Sequence, residues 1–132
     1  MTSDRQDRPA LSIVARSGVS PICATGSSFE IHEWSGSGPD YMHVHYADDE
    51  AWHVLEGALR FEFLDGHVDA PAGTTLFVPA GVAHTYRETE PSRYLIILTP
   101  RLAQLIAELH ALEDQSRLAE TLAKYQTALV TP

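Results

Sequence analysis

The chain has 132 residues, which suits one domain with its own core, and its 44% hydrophobic and 20% charged content is that of an ordinary globular protein. Eighteen acidic residues oppose nine basic ones, and the formal net charge of −9 argues against nucleic acid or an anionic membrane as a partner. The single cysteine, Cys23, excludes an internal disulfide and fits a cytoplasmic protein, and no apolar run is long enough to predict a transmembrane helix.

The first ten residues are polar and predict a disordered leader without the apolar core of a signal peptide. From there to residue 99, short apolar or alternating runs are separated by Gly, Pro and Asp, a pattern typical of many short strands in a sandwich or barrel. Asp65-Gly66 is a strong hairpin signal. The predicted strands are Leu11–Arg16, Pro21–Ala24, Phe29–Trp34, Tyr41–Tyr46, Glu50–Leu55, Ala58–Leu64, Gly66–Ala70, Thr75–Val78, Ala83–Arg87 and Ser92–Leu98.

Within these strands, His43-Val44-His45 is the strongest signal of chemistry. Side chains alternate faces along a strand, so the two imidazoles point the same way with Cα atoms about 7 Å apart, close enough to share one ion. Glu50 follows after a short turn, and a turn at Pro79-Ala80-Gly81 can bring His84 beside the pair. Three imidazoles and a carboxylate predict a site for one divalent transition metal, without selecting the metal.

The alternation of side chains along a strand also predicts which neighbours of these four residues lie on the same face of the strand, that is, have the same parity. Tyr41, Trp52 and Tyr86 share the parity of the nearest predicted ligand and are candidates for the wall of a substrate pocket, although ordinary barrel core explains them equally well. Glu88 shares the parity of His84 and is a candidate catalytic acid or base, against the alternative of a solvated carboxylate. His53 has the opposite parity to Glu50 and is excluded from the metal site unless a β-bulge intervenes.

The period of the apolar residues changes after Pro100. One stripe at helical spacing runs from Leu102 to Leu112, with Thr99 as its expected N-cap, and a second runs from Leu118 to Leu129. Two C-terminal helices are therefore predicted. Their apolar stripes are compatible with three arrangements, in which the helices cover the barrel, close one of its ends or join two chains.

Together these motifs resemble a small single-domain cupin of the quercetin-dioxygenase-like kind. The first motif of that family is matched by His43-Val44-His45, Glu50 and Gly57, and the second by Gly73, Pro79-Ala80-Gly81 and His84. Two positions depart from the family pattern: Ser37 stands where a leading Gly is usual, and Glu88 stands where Asn is usual.

The resemblance implies an all-β fold, a double-stranded β-helix (jelly-roll) barrel, with a pair of α-helices at the C-terminus. We expect a leader over residues 1–10, the barrel over 11–100 and a helical extension over 101–132, packed on the same domain. The family resemblance further implies one divalent metal per chain, with iron or manganese favoured over nickel, zinc and copper. The residues that would hold this metal are His43, His45, Glu50 and His84.

The function expected from this resemblance is that of a metal-dependent enzyme, a dioxygenase-like oxidoreductase acting on a small organic molecule, with aromatic compounds among the candidates. Four protein ligands on an octahedral ion leave two positions for water, dioxygen or substrate, which permits Lewis-acid chemistry or dioxygen activation. The alternatives are a metal-dependent isomerase, epimerase, cyclase or lyase, and a non-catalytic module that binds a small ligand. A homodimer is expected by analogy and from the two apolar stripes.

Overall fold

Strands dominate residues 21–131, the part of the chain that this computed structural model describes. The predicted leader and the predicted strand Leu11–Arg16 lie outside this range. The described strands are β1 (Cys23–Thr25), β2 (Glu30–Trp34), β3 (His43–His45), β4 (Glu50–Phe63), β5 (Gly66–Pro71), β6 (Thr75–Val78), β7 (His84–Leu98) and β8 (Thr127–Leu129). The helices are α1 (Pro100–Ala111) and α2 (Leu118–Ala123), with a 3-10 turn at Gln115–Arg117 before α2.

The two longest strands organise the sheet. β7 pairs with β4 over most of its length, and it also pairs with β2 and, at His84, with β3. The opposite edge of β4 carries β5 and β6, while β1 extends β2 and β8 extends β3. The all-β architecture expected from the sequence is confirmed, together with the two C-terminal helices.

Each long strand replaces two predicted short ones, and Gly57 explains the difference in β4. Gly57 falls between the predicted strands Glu50–Leu55 and Ala58–Leu64, but it lies inside β4 with φ 74°, where the register with β7 shifts. The shift changes which side chains face inward: Trp52 and Val54 are buried before it, Leu59 and Phe61 after it. The glycine thus produces a β-bulge that keeps both halves of one strand facing the core.

The first predicted helix begins as expected. The Thr99 hydroxyl accepts a hydrogen bond from the backbone N of Leu102 at 3.1 Å, and Pro100 occupies the first turn. Leu102 and Leu105 are 1% exposed and join the same core cluster as Trp52. In residues 21–131, no helix has the length and apolar character needed to cross a membrane.

The second predicted helix is present but shorter than expected. α2 has six residues, and the chain then turns at Gln126, whose φ is 51°, into β8. β8 pairs with β3, so that Thr127 lies opposite His45 and Leu129 opposite His43. Apolar spacing could not reveal this strand, because it forms to satisfy backbone groups on an edge of β3 that is remote in sequence. The division into barrel and helical extension stays a prediction, although Leu122 of α2 belongs to the main core cluster.

Candidate metal centre

Four side chains from three strands converge at one point inside the barrel. His43 and His45 project from the same face of β3, Glu50 begins β4, and His84 begins β7 directly opposite His43. Their ligand atoms all lie within 4.8 Å of one another. None of the four residues is more than 7% exposed. The structure therefore brings together the complete set of metal ligands predicted from the sequence.

Backbone carbonyls orient two of the imidazoles. His43 Nδ1 lies 3.2 Å from the carbonyl oxygen of Tyr41, and His84 Nδ1 lies 2.9 Å from that of Val82. A carbonyl only accepts hydrogen bonds, so each Nδ1 carries the proton of the neutral ring. The Nε2 lone pairs of both rings are therefore left for a metal, which is the usual arrangement around a ligating histidine.

A side chain performs the same task for His45. Its Nδ1 lies 2.8 Å from the hydroxyl oxygen of Thr127, and that hydroxyl donates to the carbonyl oxygen of Tyr125 at 3.2 Å. With its own proton committed, the Thr127 oxygen accepts from His45 Nδ1 and leaves Nε2 unprotonated in the neutral ring. Thr127 was missed in the sequence, because the segment that carries it was predicted to be helical.

We expect Thr127→Val to lower the affinity for a divalent metal about 10- to 100-fold, because it removes the acceptor that orients His45 while preserving shape. Thr127→Ser retains the hydroxyl and should restore most of the affinity. Competition against a chelating dye measures both variants. Equal affinities for the valine and serine variants would contradict the role assigned to the hydroxyl.

Glu50 completes the donor set. Its Oε1 atom lies 2.9 Å from His84 Nε2 and 3.0 Å from His45 Nε2. Because the neutral rings carry their protons on Nδ1, these three atoms are all acceptors, and their contact is favourable only with a shared proton or a metal cation. Burial acts to raise the pKa of Glu50, but without a metal the His45 and His84 rings share a proton with its carboxylate, which outweighs burial and lowers the pKa to about 2. An ionised carboxylate among imidazole nitrogens fits a first-row divalent cation.

Burial lowers the pKa of His43 to about 4, with further contributions from His84 and His45. In the metal-free protein, His43 takes up a proton near pH 6.5 when the chain is unfolded, but only near pH 4 when the chain is folded. We therefore expect the free energy of unfolding to be fully developed above pH 6.5 and to fall towards pH 4, by up to about 1.4 kcal/mol per pH unit. Urea unfolding with a chelator present measures this slope, and His43→Asn should flatten it. A flat profile in the unaltered protein would contradict the prediction.

An inner cavity of about 70 Å³ is lined by three of the four predicted ligands, His43, His45 and Glu50. The three aromatic residues predicted to shape the pocket, Tyr41, Trp52 and Tyr86, all line it. The remaining wall comes mainly from helices α1 and α2, whose contributors are Leu102, Leu105, Ile106, Leu109 and Leu122. The sequence identified these residues as parts of two apolar stripes but did not indicate that they line a cavity.

The structure does not bring Glu88 to this cavity. The Glu88 carboxylate accepts hydrogen bonds from the backbone N of Ser92 at 3.1 Å and from the Ser92 hydroxyl at 2.7 Å. Strand parity identified the face of Glu88 correctly relative to His84, but parity carries no information about distance along the strand. The predicted catalytic role of Glu88 therefore has no contact with the metal ligands to support it.

His53 lies outside the ligand group. Its Nδ1 lies 2.7 Å from the Thr75 hydroxyl, on the opposite face of β4 from Glu50. The bulge that could have reversed this parity begins beyond His53, after Val54.

A family model described as a cupin domain matches residues 29–98, a span that contains all four predicted ligands. A cupin-2 domain containing protein from Shewanella frigidimarina is 28% identical, with a TM-score of 0.52, 56% of this chain covered and 72% of that one. No curated protein matches.

Two further solved structures share the fold at lower identity. A conserved protein with a double-stranded β-helix domain from Klebsiella pneumoniae is 14% identical, with a TM-score of 0.53, 100% of this chain covered and 96% of that one. A protein from Neisseria meningitidis is 23% identical, with a TM-score of 0.51, 64% of this chain covered and 88% of that one. The double-stranded β-helix expected from the sequence is thereby confirmed.

Proposed function

The chain belongs to the cupin domain family, and from that premise we propose that it is a metal-dependent oxygenase acting on a small organic substrate at the site formed by His43, His45, Glu50 and His84. The observation that carries the proposal is the buried convergence of these four ligands beside an apolar cavity. The sequence motifs that suggested the family lie within the matched residues.

The donor set defines the cofactor by class. Three imidazoles and one carboxylate suit a first-row divalent ion, and we propose iron or manganese. When bound, such an ion supplies Lewis-acid activation of a substrate oxygen and the redox chemistry that dioxygen requires. The chain contributes by holding three Nε2 atoms in place through hydrogen bonds at the Nδ1 atoms, remote from the ion, with the buried Glu50 carboxylate beside them.

The lining of the inner cavity favours an oxygenase over an isomerase. Isomerases and epimerases that move protons need an acid or base with a pKa near the working pH. Apart from His43, His45 and Glu50, the described residues that line this cavity offer only Tyr41 and Tyr86 as proton carriers. Burial raises the pKa of both, which makes them poor bases near neutral pH. A small apolar cavity of this kind suits dioxygen, which needs no charged partner.

The test is oxygen consumption by protein loaded separately with iron, manganese, nickel and zinc. We expect uptake coupled to product formation with iron or manganese, across a panel of aromatic and sugar-like substrates, and none with zinc. Product without oxygen uptake would identify an isomerase or lyase instead. A molecule that binds tightly and is recovered unchanged, without uptake, would identify a binding module. Failure to retain any of these metals would remove the basis of the proposal.

The expected homodimer also stays a proposal. The apolar stripes of α1 and α2 pack into the core of their own chain, so they do not supply a dimer surface. Exposed Phe29 and Phe77 offer an alternative apolar surface outside the barrel. Light scattering at high concentration measures the mass, and a monomer would contradict the proposal.

A further inference from the structure

The inner cavity adjoins a second, larger one, with which it shares six lining residues. The outer cavity has a volume of about 340 Å³, which lies within the range of small-molecule pockets, whereas the inner cavity of about 70 Å³ holds little more than two water molecules. The residues that line both cavities are Pro39, Tyr41, Tyr86, Ile96, Ile106 and Leu109. A substrate that reaches the metal ligands must therefore place its end in the inner cavity and its body in the outer one.

The inner cavity contains a buried hydrogen-bond donor without a partner. Trp52 is 2% exposed and lines this cavity, and its indole Nε1 makes no hydrogen bond within the described part of the chain. The Trp52 ring packs edge-on against Tyr86 at 5.4 Å and against His84 at 5.6 Å between centroids. An unpaired N–H in such a place costs free energy unless a ligand supplies an acceptor.

The neighbouring tyrosines do not supply that acceptor in a normal hydrogen bond. The Tyr94 hydroxyl donates to the carbonyl oxygen of Gly36 at 2.7 Å, so at 3.0 Å it accepts the proton of the Tyr86 hydroxyl. Trp52 lies close enough to the Tyr86 hydroxyl to offset part of the rise that burial causes in the pKa of Tyr86, but its N–H is outside the geometry of a hydrogen bond. The polar part of this region therefore combines an unpaired donor with a hydroxyl whose own proton is committed.

The outer cavity lacks groups that would pair with an anion. Among the described residues that line it, none is lysine, arginine or a carboxylate, and His110 is the only side chain able to carry charge. Trp34 packs edge-on against His110 at 5.4 Å and has a second buried indole N–H without a partner. A phosphate or carboxylate on the substrate body would lose its hydration here without gaining a stable counter-charge.

We propose that the site takes a molecule with a flat, uncharged apolar body in the outer cavity and, at its inner end, a carbonyl or ether oxygen that accepts the Trp52 N–H. This proposal rests on the proposed function only in using the same site. It requires binding and not turnover.

Three naphthalene probes of matched shape test the proposal. 2-Acetonaphthone has a carbonyl acceptor, 2-ethylnaphthalene has none, and 6-acetyl-2-naphthoate adds a carboxylate at the far end of the body. Binding is measured by calorimetry to the full chain loaded with zinc, so that the result is independent of oxygen chemistry. We expect the ketone to bind about tenfold more tightly than the hydrocarbon, and the carboxylate to bind at least tenfold more weakly than the ketone.

A thermodynamic cycle assigns the acceptor to its donor. Trp52→Phe should reduce the advantage of the ketone over the hydrocarbon to less than twofold, while the matched change Trp34→Phe should leave it intact. Because the ketone and the hydrocarbon are compared within each protein, a general loosening of the cavity weakens both and leaves the ratio of their affinities unchanged. A direct contact between the ketone and zinc contributes equally in the variant and the unaltered protein, so it does not change the comparison. An unchanged ratio in Trp52→Phe would overturn the assignment, and so would a loss of the ratio in Trp34→Phe alone.

The other outcomes are equally decisive. Equal binding of ketone and hydrocarbon to the unaltered protein, preference for the far-end carboxylate, or no binding of any probe would each overturn the proposed class. None of these results would affect the oxygenase proposal, which fails separately if the iron- and manganese-loaded proteins consume no oxygen.

Discussion

Replacing His84 by alanine should lower the affinity for a divalent metal at least a hundredfold. Changes to residues that merely orient a ligand typically cost 10- to 100-fold, so loss of a ligand itself should cost more. His84 is 1% exposed, and its Nε2 atom lies 2.9 Å from Glu50 Oε1. Metal content by mass spectrometry and affinity by chelator competition together measure the effect.

His53→Ala is the matched control for this change. His53 lies on the opposite face of β4 and contacts Thr75, so its loss should alter metal affinity by less than twofold. Circular dichroism of both metal-free variants shows whether either change disturbs the fold. If His84→Ala retained one metal per chain at the original affinity, His84 would not be a ligand, and the four-residue site would have to be redefined.

Gly57→Ala is expected to have the largest effect on stability. Gly57 has φ 74°, and a Cβ added there would lie 2.1 Å from the backbone carbonyl oxygen of Pro91. A side chain in the left-handed region costs about 1–2 kcal/mol, and forced overpacking adds about 1–3 kcal/mol. We therefore expect the free energy of unfolding to fall by about 2–5 kcal/mol, as measured by urea denaturation.

Gly73→Ala separates the two contributions. Gly73 has a similar φ of 92°, but a Cβ added there would meet nothing within 4 Å. This variant should lose only the backbone contribution of about 1–2 kcal/mol. Equal losses at the two positions would show that β7 yields to the added methyl group, and that close contact between β4 and β7 does not require glycine.

The metal ligands could be predicted from the sequence because their arrangement begins locally. Alternation along β3 puts His43 and His45 on one face, and the same rule excluded His53. The family motifs then added Glu50 and His84, which the structure places within 4.8 Å of the pair. Alternation failed for Glu88, because the face of a side chain does not determine how far along the strand it lies from the site.

Other features of the site depended on contacts between distant parts of the chain. The strand β8 pairs with β3 across a long sequence separation, and only this pairing puts Thr127 against His45. Local spacing predicted a helix there, since residues at helical intervals were apolar. The backbone groups of β3 decided otherwise, because buried N–H and C=O groups must find partners.

The sequence by itself therefore determined the strand-rich barrel, the candidate metal ligands and the helix that begins at Pro100, since each depends on a repeat, a cap or a motif spacing along the chain. The tertiary structure alone decided the bulge at Gly57, the hydroxyl of Thr127 behind His45, and the cavity between α1 and the barrel. These depend on which surfaces meet when the chain closes, and the requirement to satisfy and pack those surfaces is not encoded in any single segment.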